Sequence, residues 1–161
     1  KQIAILRDRF GEKCMIGAGT AISVDLAKAA IGAGAQFLLT PGTPIDVLQY
    51  CAKKDIMLLP GVFTPGDVAT SLEFGYKTMK LFPAGCAPKG YLKALKGPYD
   101  EANYIAIGGV TIDNINDYFK EGYMGVGLAS NLMPLSVLKD KNWDLGVSYV
   151  QKYVSRVKRR V

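Results

Sequence analysis

Short apolar runs alternate along this chain with stretches whose apolar residues recur three and four apart, and glycine or proline marks nearly every change. The first pattern predicts buried strands and the second amphipathic helices. Residues 1–10 place Ile3, Leu6 and Phe10 on one helical face closed by Gly11, which reads as the end of a helix. Residues 14–20 follow as a strand ending in small residues. Ser23 then caps a helix that turns Val24, Ala27 and Ile31 inward and stops near Gly32 to Gly34. Residues 36–40 form a continuous apolar strand of the kind buried on both faces in a parallel sheet. In Thr43-Pro44-Ile45-Asp46 the threonine is expected to cap, the proline to take the first helical position and the aspartate to face the helix dipole.

The same order repeats downstream. Residues 56–59 predict a strand that turns at Pro60-Gly61 and enters a helix through Thr64-Pro65-Gly66-Asp67. Residues 76–84 predict a strand stopped by proline, followed by a loop through Gly85 and Pro88 to a helix around 91–95. Residues 103–107 read as a strand ending in Gly108-Gly109, and Thr111 starts a helix with Ile112, Ile115 and Phe119 inward. Residues 123–128 give the last strand. The C-terminal helix carries an apolar stripe at Trp143, Val147, Val150, Val154 and Val157. Six strand–helix units, roughly 20 to 25 residues apart, imply right-handed βαβ crossovers and a parallel sheet. No linker separates them. The expected fold is α/β, a TIM-type (β/α)8 barrel of which residues 1–161 form a single domain covering about the last six units, with the N-terminal units preceding Lys1.

Composition narrows the chemistry. The chain has no histidine. That removes the commonest general base, every Ser–His or Cys–His nucleophile pair and the usual zinc ligand, so no metal and no cofactor is expected. Cys14, Cys51 and Cys86 lie far apart and are odd in number, which argues against a disulfide framework; Cys14 and Cys51 read as buried thiols of a reduced, cytoplasmic protein. No apolar run approaches the roughly 20 residues that cross a bilayer, and no secretory leader is evident. The net charge is +6, part of it in Lys152, Arg156, Lys158, Arg159 and Arg160. Without a helix-turn-helix, zinc knuckle or basic–aromatic stretch, this charge suits a solvated face and a small anionic substrate better than nucleic acid or a membrane.

Lysine is then the residue to watch. In a strand over residues 76–84, Thr78, Lys80 and Phe82 share one face while Lys77 and Met79 share the other. Lys77 reads as a surface lysine. Lys80 is either another or, if its face is enclosed, a desolvated amine of lowered pKa that can attack a carbonyl and form a Schiff base. The glycine turns Gly17-Ala18-Gly19, Gly108-Gly109 and Gly125-x-Gly127 lack the acid some 20 residues on that a dinucleotide site needs. Counted back from the end of an eight-unit barrel, Gly108-Gly109 and residues 127–130 follow strands seven and eight, where phosphosugar barrels hold phosphate; plain tight turns are the alternative.

Five motifs occur in order: Ile16-Gly17-Ala18-Gly19-Thr20; Pro60-Gly61-Val62 with Thr64-Pro65; Met79-Lys80-Leu81-Phe82-Pro83; Gly108-Gly109-Val110; and Gly127-Leu128-Ala129-Ser130-Asn131-Leu132. In these the chain resembles the class I 2-keto-3-deoxy-6-phosphogluconate (KDPG) and 4-hydroxy-2-oxoglutarate (KHG) aldolases. The resemblance implies a homotrimeric barrel that cleaves a phosphorylated keto acid to pyruvate and glyceraldehyde 3-phosphate. It implies that Lys80 forms the Schiff base, Thr20 binds the pyruvyl carboxylate, Pro41 and Phe82 line the site, and Gly108, Gly109 and Ser130 hold the phosphate. The family's acid/base glutamate and a carboxylate-binding arginine belong to an early strand without counterpart here, and Glu12, Glu73 and Glu101 match neither. Where the family often has Pro-Thr-Gly-Gly, this chain has Ala106-Ile107-Gly108-Gly109, so the substrate-facing position 107 lacks a hydroxyl and stereochemical choice is expected to relax. Two other readings remain open: a barrel isomerase or epimerase of phosphosugars working with carboxylates, and a catalytically inactive phosphometabolite-binding relative.

Overall fold

The structure, a computed structural model, describes residues 1–158; of the basic tail, Arg159, Arg160 and the side chain of Lys158 lie outside the described residues. The chain forms two compact units, one of Lys1–Phe82 with Tyr99–Asn103, the other of Pro83–Pro98 with the chain from Tyr104 onward. The expected α/β alternation with parallel strand pairing is present in both.

The first unit runs α1 (Gln2–Phe10), β1 (Gly17–Ala18), α2 (Val24–Gly32), β2 (Phe37–Leu39), α3 (Ile45–Lys53), β3 (Leu58–Leu59), β4 (Gly61–Val62), α4 (Pro65–Glu73) and β5 (Thr78–Leu81). Parallel ladders set Gly17 beside Phe37, Leu38 beside Leu58, and Gly61 beside Lys80. Ala27, Leu38, Val47, Leu48 and Cys51 are fully buried at the centre of its core. Gly17 is needed there because a Cβ would stand 2.5 Å from the Phe37 ring, which lies across β1.

Residues 56–62 do not turn at Pro60 as expected; the strand changes partner. β3 pairs with β2, and beyond Pro60 β4 pairs with β5. Proline has no amide to continue the first ladder. The fully buried Thr40 supplies the join: its hydroxyl accepts the Gly61 N–H at 3.0 Å and donates to the Gly42 carbonyl at 2.6 Å. Backbones pass so close that a Cβ on Gly61 would stand 2.6 Å from the Thr40 carbonyl oxygen.

Helix entries divide between expectation and correction. The Ser23 hydroxyl accepts the Leu26 N–H at 3.3 Å, and Thr64 with Asp67 forms a reciprocal capping box. Thr43 does not cap α3: Pro44 holds the cap position, the helix begins at Ile45, and the Thr43 hydroxyl donates to Asp67 Oδ1 at 3.2 Å. Burial raises the Asp67 pKa, but hydrogen bonds from the Thr64 and Phe63 amides and the Thr64 and Thr43 hydroxyls outweigh it, and the net shift is downward. Helix α1 buries none of its residues, leaving Leu6 and Phe10 exposed, because only its Ile3 packs against the core. Cys14 is also exposed, whereas Cys51 is buried.

The second unit contains a 3-10 turn (Ala84–Cys86), α5 (Tyr91–Lys96), β6 (Asn103–Ile107, all but its first residue), α6 (Ile115–Glu121), β7 (Gly125–Gly127), α7 (Leu135–Lys139) and α8 (Trp143–Lys158). β6 and β7 are parallel, with Ile105 beside Gly125 and Ile107 beside Gly127. Helix α6 starts at Ile115, not at Thr111. Thr111 and Asn114 instead bond each other, amide to side-chain oxygen in both directions at 2.7 and 3.3 Å, which holds the intervening residues in a turn. The stripe on α8 is largely outward: Trp143 is 59% exposed and Val147 54%. Gly146 and Tyr153 define the buried face, and the missing side chain at 146 lets α8 approach Met133 and Val137. No helix among the described residues is long and apolar enough to cross a membrane.

Candidate active site

In the first unit, alternation along β5 buries Met79 and Leu81 completely on one face and turns Lys80 to the other. Lys80 is only 9% exposed, with Nζ 4.1 Å from the centre of the Phe82 ring, so the shared face expected for these two residues is real. Burial pushes the Lys80 pKa down. Among the described residues no carboxylate pairs with it. Lys77, three residues earlier, has the opposite setting: it is exposed, and its hydrogen bond to Glu101 at 2.8 Å and the attraction between their charges raise its pKa. The two lysines differ in chemistry because Lys80 lies within β5, whereas Lys77 precedes the strand and stands in solvent beside Glu101. Glu12 and Glu73 are exposed and take no part.

The position of Lys80 is fixed through the backbone. Its amide donates to the Pro60 carbonyl at 2.8 Å, and the Phe82 amide to Val62 at 3.0 Å. Thr40 anchors Gly61, the residue in register with Lys80. Thr40 is not among the residues expected at the site. Its signal was a lone hydroxyl ending an apolar strand just before Pro41-Gly42, in a chain with a second Pro-Gly pair at 60–61. Thr20 and Pro41 are exposed and follow the carboxyl ends of the parallel strands β1 and β2. Thr20 holds φ at +61°, a conformation non-glycine residues rarely adopt and one that collects at functional positions. Thr20, Pro41, Lys80 and Phe82 thus all lie at or just beyond the carboxyl ends of parallel strands in the same unit.

In the second unit Ile107 ends β6, and its side chain lies over Gly127, where a Cβ would stand 2.7 Å from Ile107 Cγ1. Gly108 and Gly109 follow with φ of +87° and +85°. Their carbonyls are engaged: Gly108 accepts the Gly85 amide at 2.8 Å and Gly109 accepts Asn114 Nδ2 at 2.9 Å. Among the described residues the amides of Gly109 and of the exposed Ser130 donate to nothing, so they are available to an anion. No cluster of metal-ligating side chains occurs among the described residues.

The profile of the KDPG and KHG aldolases matches residues 1–148. The chain belongs to that family. It is 30% identical over 155 residues to the 2-dehydro-3-deoxy-6-phosphogalactonate aldolase of Escherichia coli K12, covering 95% of this chain and 75% of that one. It is 34% identical over 130 residues to the 2-dehydro-3-deoxy-phosphogluconate aldolase of Pseudomonas aeruginosa, covering 80% of this chain but only 59% of the relative's length. The solved KDPG aldolase of Legionella pneumophila superposes with a TM-score of 0.85 at 29% identity, over 92% of this chain and 72% of that one. Pyruvate was captured in that protein as a covalent carbinolamine.

Proposed function

We propose that the protein is a class I aldolase that cleaves a 2-keto-3-deoxy-6-phospho sugar acid to pyruvate and glyceraldehyde 3-phosphate. The observation that carries this reading is Lys80, buried against Phe82 with its pKa lowered by desolvation. The neutral amine attacks the keto carbon, and the carbinolamine loses water to give an iminium. The C3–C4 bond then breaks, its electron pair passes into the iminium to form an enamine, and the C4 hydroxyl proton leaves as the aldehyde forms. Protonation of the enamine at C3 and hydrolysis release pyruvate and restore the amine. The Phe82 face, which attracts cations, favours the charged iminium over the neutral enamine until the substrate's own bond cleavage supplies the electrons.

In this scheme Thr20 and Pro41 meet the pyruvyl carboxylate end, Ile107 lies beside the hydroxylated carbons, and Gly108, Gly109 and Ser130 hold the phosphate. The chemistry calls for neither cofactor nor metal. Assembly as a homotrimer and work in the cytoplasm follow from the same reading, and the outward apolar residues of α7 and α8 suit an assembly. The test is to reduce the protein with borohydride in the presence of pyruvate and map the product. A pyruvyl mass on the Lys80 peptide is expected. No adduct, or an adduct on Lys77, sinks the reading.

One observation favours a second reading. No carboxylate among the described residues stands by Lys80 to take the C4 proton. A phosphometabolite-binding relative without turnover would be stabilised against heat by phosphorylated ligands and would release no aldehyde.

A further inference from the structure

The family match ends at residue 148, yet α8 continues to Lys158 and returns to the loops that follow β6 and β7. Tyr153, buried on that helix, donates its hydroxyl to the Asn131 carbonyl at 2.7 Å, and Asn131 Nδ2 donates to the Val110 carbonyl at 3.1 Å. These two bonds tie α8 to the residue after Ser130, and that residue to the one after Gly109. The tie fixes the spacing of the two loops from which the free amides project. Beside it opens a cleft of about 400 Å³ lined by Thr111, Ser130, Tyr149 and Lys152 among others. Its lining has one cation and no carboxylate. The ammonium of Lys152 lies over the Tyr149 ring, 5.0 Å from its centre, which restricts a side chain that would otherwise sweep a wide volume.

We propose that the C-terminal half of α8 completes the phosphate subsite: Lys152 supplies a cation to the phosphate held by Gly109 and Ser130, and the Tyr153–Asn131 tie positions the two loops that hold it. The proposal rests on the aldolase reading for the identity of the anion, the terminal phosphate of a small keto acid. Backbone amides alone orient a phosphate without neutralising it, whereas an ammonium at the rim of a cleft free of carboxylates lowers the cost of taking up a dianion. Lys152 is thus a specificity residue for phosphorylated over unphosphorylated substrates, and Tyr153 is a positioning residue.

The experiment measures the Kd of inorganic phosphate for the full chain at several salt concentrations, with the parent, Lys152→Met, Lys152→Arg and Tyr153→Phe. Melting of the unliganded proteins serves as the folding control. Lys152→Met keeps the aliphatic stem on Tyr149 and should raise Kd about tenfold, the weight of one charged contact, while flattening the salt dependence. Lys152→Arg should recover most of the affinity. Tyr153→Phe should raise Kd severalfold with the salt dependence intact. A Met variant that binds phosphate like the parent, or an Arg variant no better than Met, overturns the role of Lys152. A Phe variant with the parent's Kd overturns the tie. Pyruvate carries no phosphate, so borohydride trapping on the parent reports the aldolase reading by itself. A parent that binds phosphate through Lys152 but traps no pyruvate refutes that reading and leaves the subsite standing.

Discussion

Replacing Thr40 with valine keeps the branched shape and removes one hydroxyl, and that hydroxyl joins two ladders. In the parent it accepts the Gly61 amide at 3.0 Å and donates to the Gly42 carbonyl at 2.6 Å, inside a fully buried site. Valine leaves both groups without that partner; at the buried Gly61 amide the backbones pass too tightly for water to replace it, while the Gly42 carbonyl is only half-buried. Each lost bond costs about 1 to 1.5 kcal/mol, with the buried Gly61 amide at the upper end, so the expected loss is about 2 to 3 kcal/mol. For a chain of this size that corresponds to a fall in Tm of about 5 to 10 °C. Urea unfolding followed by circular dichroism should move to a lower midpoint with an unchanged slope, because the surface exposed on unfolding is the same. Amide exchange should accelerate at Gly61 before it does elsewhere in the first unit. Thr40→Ser, which keeps the hydroxyl, should lose less than about 1 kcal/mol. A valine variant as stable as the parent, or a serine variant as weak as valine, refutes the role assigned to the hydroxyl.

Three further outcomes can be checked. Burial lowers the Lys80 pKa, so the folded protein holds that proton less tightly than the unfolded chain and stability rises with pH from the folded Lys80 pKa up to the ordinary lysine value of about 10.4. Lys80→Met should therefore gain about 0.5 to 2 kcal/mol at pH 7 while losing all pyruvate trapping, and the gain should shrink toward pH 10 to 11; a Met variant less stable at pH 7 contradicts this. Gly90 and Gly109 share a positive φ, but only at Gly109 would a Cβ meet backbone, 2.8 Å from Gly85 Cα. Gly90→Ala should cost about 1 kcal/mol and Gly109→Ala at least 2, and equal losses on denaturant titration would remove the close approach as the cause. Ile107→Thr should shift the ratio of kcat/KM between the gluconate- and galactonate-configured phosphates, and an unchanged ratio would dissociate residue 107 from stereochemical choice.

The limits of local reading are clearest at two threonines. Thr43-Pro44-Ile45-Asp46 and Thr64-Pro65-Gly66-Asp67 have the same spacing of cap and acid, and both predict a capped helix. Only the second builds the capping box. Asp67 draws the Thr43 hydroxyl from 24 residues away, a competitor that no local window contains. Thr40 escaped notice for the same reason, since its role depends on Pro60 interrupting a ladder in another strand. Where the outcome depends on alternation alone, as at Lys80 and Phe82, the sequence could be read directly, and the two side chains do share a face; the exposure of Lys77 follows instead from its place just before the strand. Residues 103–107 form a strand with the expected bounds, ended by Gly108 and Gly109, whose positive φ breaks the extended run. On α8 the apolar count misled, because a glycine and a tyrosine, neither of them in the stripe, decide which face is buried.

Trp143 is the chain's only tryptophan and stands 59% exposed at the start of α8. Its indole already meets water in the folded protein, so unfolding changes its surroundings little and its emission wavelength follows the transition poorly. Dichroism, or the emission of buried tyrosines such as Tyr104, carries the unfolding signal instead. Anything that covers the outward face of α8 has the opposite effect: it takes the indole out of water and shifts its emission to the blue. The emission of this one indole thus reports on what covers the start of α8 more than on the unfolding of the chain.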